Sequence, residues 1–128
     1  MTELIVDALE YVLTDAATSG LGRPRVELDD WHDDSKVASA MIYNVEDATG
    51  RGVFVRLDLT PGEQVVVVAD QVQEWVIEDR RAPESNWPRC PWHPENHPLV
   101  AQLAGERGVW ACPTSNTPVA RIGELHPS

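Results

Sequence analysis

Apolar side chains recur at three- and four-residue intervals in the first eighteen positions of the chain, the spacing of one face of an α-helix. These positions are Ile5, Leu9, Val12, Leu13 and Ala16. Thr2 is a residue type that caps a helix start, and the glycines at 20 and 22 suit a helix end. The pattern therefore predicts a first helix between these two signals.

Between residues 24 and 59 the apolar positions alternate with polar ones, which is the period of a half-buried strand. Three segments show it, at 26–28, 37–45 and 53–59. Residues 46–52 contain Asp47, Gly50 and Gly52, the composition of a hairpin loop. We therefore expect three strands, the last two being antiparallel neighbours.

A second helix is predicted after Thr60, because Thr60 and Glu63 are spaced as a capping box and Pro61 suits the first helical position. Four successive valines follow at 65–68, a run that also suits a buried strand. The helix is favoured because the start signal is strong and because residues 70–74 are poor strand formers.

Five prolines between residues 81 and 98 favour a stiff, extended loop. Beyond it, residues 109–112 and 119–122 have the composition of two short strands around a turn at 113–118. The predicted fold class is α+β, an antiparallel sheet with two helices in the order α-β-β-β-α-loop-β-β. We expect one domain over 1–128, with a core at 1–81 and the loop and hairpin at 82–128.

The charge of the chain disfavours two classes of partner. Ten basic and twenty-one acidic side chains give a formal net charge of -11, which repels nucleic-acid phosphates and anionic lipid headgroups. The longest apolar run, 65–69, is far shorter than a membrane span, and Asp7 and Glu10 interrupt the place where a signal peptide would be apolar. We expect a cytoplasmic protein whose partner is another protein.

Two cysteines and two histidines form a C-x2-H-x3-H-x14-C series: Cys90, His93, His97 and Cys112. Thiolate and imidazole are ligands that Zn²⁺ selects, and four of them would close a tetrahedral structural site. The alternative is that both cysteines are small buried hydrophobic residues, with Trp87, Trp92 and Trp110 packed around a proline-shaped loop. A Cys-His catalytic pair, or a catalytic zinc assisted by Glu95, is a further alternative.

The segment 90–115 resembles a degenerate zinc ribbon. Cys90-Pro91-Trp92-His93 looks like one knuckle, and Cys112-Pro113-Thr114-Ser115 looks like the start of a second. The resemblance implies a structural zinc ion. It departs from the family at Ser115, where a fourth thiolate would stand, so His97 would have to supply that ligand.

The element order, size and acidity are similar to those of secretion-chaperone-like α+β proteins, and the scarcity of lysine resembles small actinobacterial proteins. The first resemblance implies a non-enzymatic protein-interaction module and a homodimer formed through one helix or sheet edge. Trp31 and Trp92, both in predicted loops, are candidate partner-binding residues. Two other functions stay open: a small zinc- or thiol-dependent enzyme, and an acidic immunity protein or DNA mimic.

Overall fold

The computed structural model describes residues 2–18, 24–28, 36–43, 50–80, 87–93 and 97–125. Two α-helices and six strands follow one another along these residues. They are α1 (Thr2–Thr18), β1 (Arg25–Leu28), β2 (Val37–Tyr43), β3 (Gly50–Arg56), α2 (Pro61–Trp75), β4 (Val100–Ala104), β5 (Arg107–Ala111) and β6 (Pro118–Arg121). The predicted α+β class is confirmed.

The first sheet has the strand order β1-β2-β3, and both pairs are antiparallel, as the alternating pattern predicts. Val26 lies opposite Ile42, and Ala40 lies opposite Val53, so one face of the sheet is apolar. Because side chains alternate between the faces of a strand, this face packs into the core, and exposed residues such as Glu27 and Arg56 lie on the other.

Helix α2 begins with the predicted capping box. The Glu63 amide donates to Thr60 Oγ1 at 3.2 Å, and the Thr60 amide donates to Glu63 Oε1 at 2.9 Å. The valine run therefore lies in a helix and not in a strand. The helix continues as a π-helical segment, Val76–Arg80.

The second sheet has the order β4-β5-β6 and is also antiparallel. Strands β5 and β6 match the two predicted C-terminal strands, whereas β4 was not predicted. The described strands form two sheets of three, where the sequence predicted one sheet. Its sequence, Val-Ala-Gln-Leu-Ala, has small residues and no β-branched alternation, and its side chains are only half-buried or exposed. The pairing with β5 forms this strand, more than any propensity of its own.

One apolar cluster joins the two sheets. Helix α2 contacts β3 of the first sheet and β4 and β5 of the second, and α1 packs against α2 and β2. Fully buried residues from both helices and both sheets belong to this cluster, among them Leu9, Ile42, Val68 and Trp110. Among the described residues, no helix has the length and apolar character needed to cross a membrane.

A buried carboxylate ties α1 to the C-terminal region. Asp15 accepts from the Trp110 indole Nε1 at 2.7 Å and from the backbone amides of Gly123 and Leu125 at 2.7 and 2.9 Å. Burial raises the pKa of Asp15 above its usual 3.8, although the three donors act in the opposite direction and Glu124 adds to the rise. The carboxylate replaces water as the partner of three N–H groups.

Candidate metal centre

A tight turn places the first two sequence-predicted ligands. The amide of His93 donates to the carbonyl oxygen of Cys90 at 3.3 Å, which closes the turn Cys90-Pro91-Trp92-His93. A turn of this kind brings residues three apart to the same side of the chain. The two-residue spacing therefore lets Cys90 and His93 face one site, as the sequence predicted.

His97 is brought to the turn by a short antiparallel contact. Arg89 pairs with Pro98 in an isolated bridge, and the Leu99 amide donates to the Pro88 carbonyl at 2.7 Å. These bonds close the chain on itself between residues 88 and 99. His97 consequently lies beside the turn and its ring centre is 4.9 Å from that of His93.

Cys112 follows directly after β5, at the turn that leads into β6. Its amide donates to the Thr117 carbonyl at 3.0 Å, and its carbonyl accepts from the Asn116 amide at 2.8 Å. Asn116 has a φ of 57°, in the left-handed region that asparagine tolerates better than most residues. This turn directs Cys112 toward the loop that carries Cys90.

The four predicted ligands converge: one ligand atom from each of Cys90, His93, His97 and Cys112 lies within 4.8 Å of all the others. His93 Nδ1 is 3.6 Å from Cys90 Sγ and 3.7 Å from Cys112 Sγ. With Zn–S and Zn–N bonds of about 2.3 and 2.0 Å, tetrahedral geometry separates a sulfur and a nitrogen ligand by about 3.5 Å. The cluster could hold a metal ion of this kind.

The hydrogen bonds of His97 select its tautomer. Nδ1 lies 3.2 Å from the Pro98 carbonyl oxygen, which can only accept, so in the neutral ring Nδ1 carries the proton. Nε2 is then the nitrogen whose lone pair is available to a metal ion, and the Thr114 hydroxyl oxygen lies 3.2 Å from it. A carbonyl bound to the second ring nitrogen is the usual support of a metal-ligating histidine.

The surroundings of Cys112 favour its thiolate. Burial raises the pKa of this thiol, but hydrogen bonds from the Ser115 side chain and amide, the Thr114 amide and Cys90 outweigh burial and lower the pKa to about 6. The thiolate is the form of cysteine that binds metal. Cys90 and Cys112 are both fully buried and are not joined by a disulfide.

Two contacts from the core hold the loop that carries Cys90. The buried amide of Gln73 on α2 donates to the carbonyls of Leu99 and Trp87, at 2.5 and 3.2 Å. The rings of Trp87 and Trp110 meet edge to face, with centroids 5.5 Å apart. The loop is therefore fixed on both sides of the ligands. Trp87 and Trp110 are buried there, as one alternative from the sequence expected, whereas Trp92 is exposed.

The supporting residues Gln73, Thr114 and Asp15 were not predicted from the sequence. Gln73 and Asp15 each stand beside the apolar stripe of a helix, where a polar residue signals a buried hydrogen bond, but its partner is remote in sequence. Of the candidate partner-binding residues, Trp92 is 53 % exposed in the turn between Cys90 and His93. Trp31 and Glu95 lie outside the described residues.

In comparisons with known proteins, no protein-family model, no curated protein and no solved structure matches the chain.

Proposed function

We propose that this chain is a non-enzymatic protein-interaction module whose C-terminal region is held by a structural zinc ion bound to Cys90, His93, His97 and Cys112. The convergence of four ligand atoms within 4.8 Å carries the proposal. Two thiolates and two imidazoles favour zinc over the hard cations, which select oxygen ligands. Four protein ligands leave a tetrahedral ion no position for water or substrate, so the role is structural.

Zinc would join two loops that are remote in sequence. Cys90, His93 and His97 come from the loop before β4, and Cys112 comes from the turn between β5 and β6. The predicted resemblance to a zinc ribbon fits this arrangement, with His97 in the role that a fourth cysteine at 115 would fill. The resemblance to secretion chaperones, the homodimer and the cytoplasmic location remain predictions.

Metal content of purified protein tests the proposal. Protein prepared without chelator is expected to carry one zinc per chain in elemental analysis and in native mass spectrometry. Cys112→Ser removes a ligand from a closed site and is expected to abolish stoichiometric zinc. Ser115→Ala is the matched control, because it changes a neighbour of the Cys112 sulfur but no ligand, and it should retain the zinc. Unchanged zinc in Cys112→Ser would contradict the assignment.

A thiol-dependent enzyme is the second candidate. The pKa of about 6 for Cys112 and the 3.7 Å between its sulfur and His93 Nδ1 are features of an activated thiolate. The complete burial of both sulfurs opposes it, since a nucleophile must reach its substrate. Alkylation by iodoacetamide separates the two functions: the zinc protein should stay unmodified until chelator is added, whereas an enzyme thiol would react with zinc present.

A further inference from the structure

A second surface, separate from the metal centre, has the form of a binding site. A groove of about 680 Å³ runs along the outer side of α2, between β3 and β4. This volume lies within the range of protein ligand pockets, roughly 300 to 1,000 Å³. We call it the α2 groove; its lining residues are Arg51, Gly52, Phe54, Val66, Val67, Asp70, Gln71, Glu74, Glu78 and Ala101.

The α2 groove combines apolar and acidic side chains. Val67, Asp70, Gln71 and Glu74 are three or four residues apart and form one stripe of the helix. Asp70 and Glu74 are exposed, and Val67 is half-buried beside them. Within the described residues no ion pair of Asp70 or Glu74 is found, and Arg51, the one basic residue among those that line the groove, binds Glu78 at 2.5 Å. An occupant with a positive charge would meet two adjacent carboxylates.

The edge of the first sheet is blocked at the groove. β3 is an outer strand of its sheet, and the Gln71 side chain accepts from the Phe54 amide at 3.0 Å and donates to the Phe54 carbonyl at 2.7 Å. These are the two backbone groups that an added strand would use. The Phe54 ring itself is 45 % exposed. The groove therefore offers contacts to side chains and excludes strand addition at this position.

We infer that the α2 groove binds a short cationic, amphipathic segment of a partner protein, with an apolar residue against Phe54 and Val67 and an arginine or lysine at Asp70 and Glu74. This inference rests on the proposed protein-interaction function and names the chemistry of the partner. Charge decides between occupants: a second copy of this chain, itself at -11, would bring further negative charge to an acidic groove. A basic segment is attracted to it, most strongly at low salt.

A peptide titration tests the inference. The probe is a fluorescein-labelled peptide of leucine, alanine and arginine, with two arginines spaced to meet Asp70 and Glu74; its control carries citrulline, which is neutral, in place of arginine. Fluorescence anisotropy with the zinc-loaded protein should show saturable binding of the arginine peptide that weakens with salt. The citrulline peptide should bind about tenfold more weakly, the effect of two exposed ion pairs.

Matched variants locate the site. The double variant Asp70→Asn, Glu74→Gln should weaken binding about tenfold, whereas Asp7→Asn, Glu106→Gln, which makes the same charge change elsewhere, should leave it within about twofold. Phe54→Ala should weaken binding, and Leu103→Ala, which shortens a side chain that is also about as exposed, at 44 %, should not. Equal losses in the two double variants, or equal binding of both peptides, would overturn the inference. Zinc content, measured in every variant, tests the metal proposal separately.

Discussion

The two sheets of this protein are stabilised by different kinds of interaction. The first sheet buries Ala40, Ile42, Val53 and Val55, whose apolar side chains belong to the same core cluster as those of the helices. The second sheet contributes fewer aliphatic residues. Its loops are fixed by hydrogen bonds to buried polar side chains, by paired tryptophans and by the cysteine and histidine cluster.

The difference shows how a small chain can order a segment that is poor in aliphatic residues. Five prolines in residues 81–98 restrict the backbone there but supply no helix or strand of their own. Four side chains that meet at one metal ion could supply the missing stabilisation, since metal binding contributes directly to folding free energy. We therefore expect the first sheet to be insensitive to metal and the second to depend on it.

Metal removal should have the largest effect and should act on one region. If free zinc exceeds its Kd about a thousandfold, chelation should lower the free energy of local unfolding of the second sheet and its loops by about 4 kcal/mol. In hydrogen exchange, the amides of His93, Cys112 and Asn116 should lose protection while those of Val53 and Val55 keep it. Equal loss of protection in both sheets would contradict the comparison.

A truncated side chain in the core around the first sheet should destabilise the fold without affecting metal binding. Leu9 is buried on α1, and Leu9→Ala is expected to lower the free energy of unfolding by about 3 kcal/mol, or Tm by about 11 °C. The measurement is thermal unfolding of the zinc-loaded variant, followed by elemental analysis. The variant should still bind one zinc per chain. Loss of the metal would show that metal binding at the second sheet depends on the core around the first.

Removal of the Asp15 carboxylate, which links α1 to the C-terminal residues, should lower stability by a smaller amount. Asp15→Ala leaves the Trp110 indole and the amides of Gly123 and Leu125 without their acceptor, at a cost of about 2 kcal/mol, or about 7 °C in Tm. Chemical denaturation monitored by tryptophan fluorescence measures it. A variant as stable as the wild type would show that this carboxylate does not stabilise the fold.

The pH dependence of the same carboxylate should be the smallest effect. Because the pKa of Asp15 is raised on folding, the folded state holds its proton more tightly than the unfolded state, and this stabilisation is lost as pH rises from about 3.8 through the folded pKa. Asp15→Asn removes the titration. The stability of the wild type minus that of Asp15→Asn should therefore fall with rising pH and then level off; a rise would contradict the direction of the shift.

Local sequence patterns predicted the two helices and the first sheet well. The period of Ile5, Leu9 and Val12 indicated α1, and the Thr60 capping box correctly outweighed the strand character of the valine run. Strand β4 was missed because residues such as Ala101 and Gln102 carry a weak strand signal, and only pairing with β5 forms the strand. This pairing is a local hairpin, and with β6 it forms a second sheet of three strands.

The candidate site was predictable in its residue types but not in its geometry. The x2 spacing indicated the Cys90 to His93 turn, since that contact is local. The approach of Cys112 depends on the second sheet, and the tautomer of His97 depends on the Pro98 carbonyl, so neither could be read from spacing. The α2 groove is formed mostly by the consecutive elements β3 and α2, with Ala101 of β4 added from farther along the chain.

X-ray absorption at the zinc edge of the purified protein tests the central claim most directly, because it reports the type and distance of each ligand. We predict a shell of two sulfurs at about 2.3 Å and two nitrogens at about 2.0 Å, supplied by Cys90, Cys112, His93 and His97. A shell of oxygen and nitrogen alone, or protein that binds no zinc, would contradict the account.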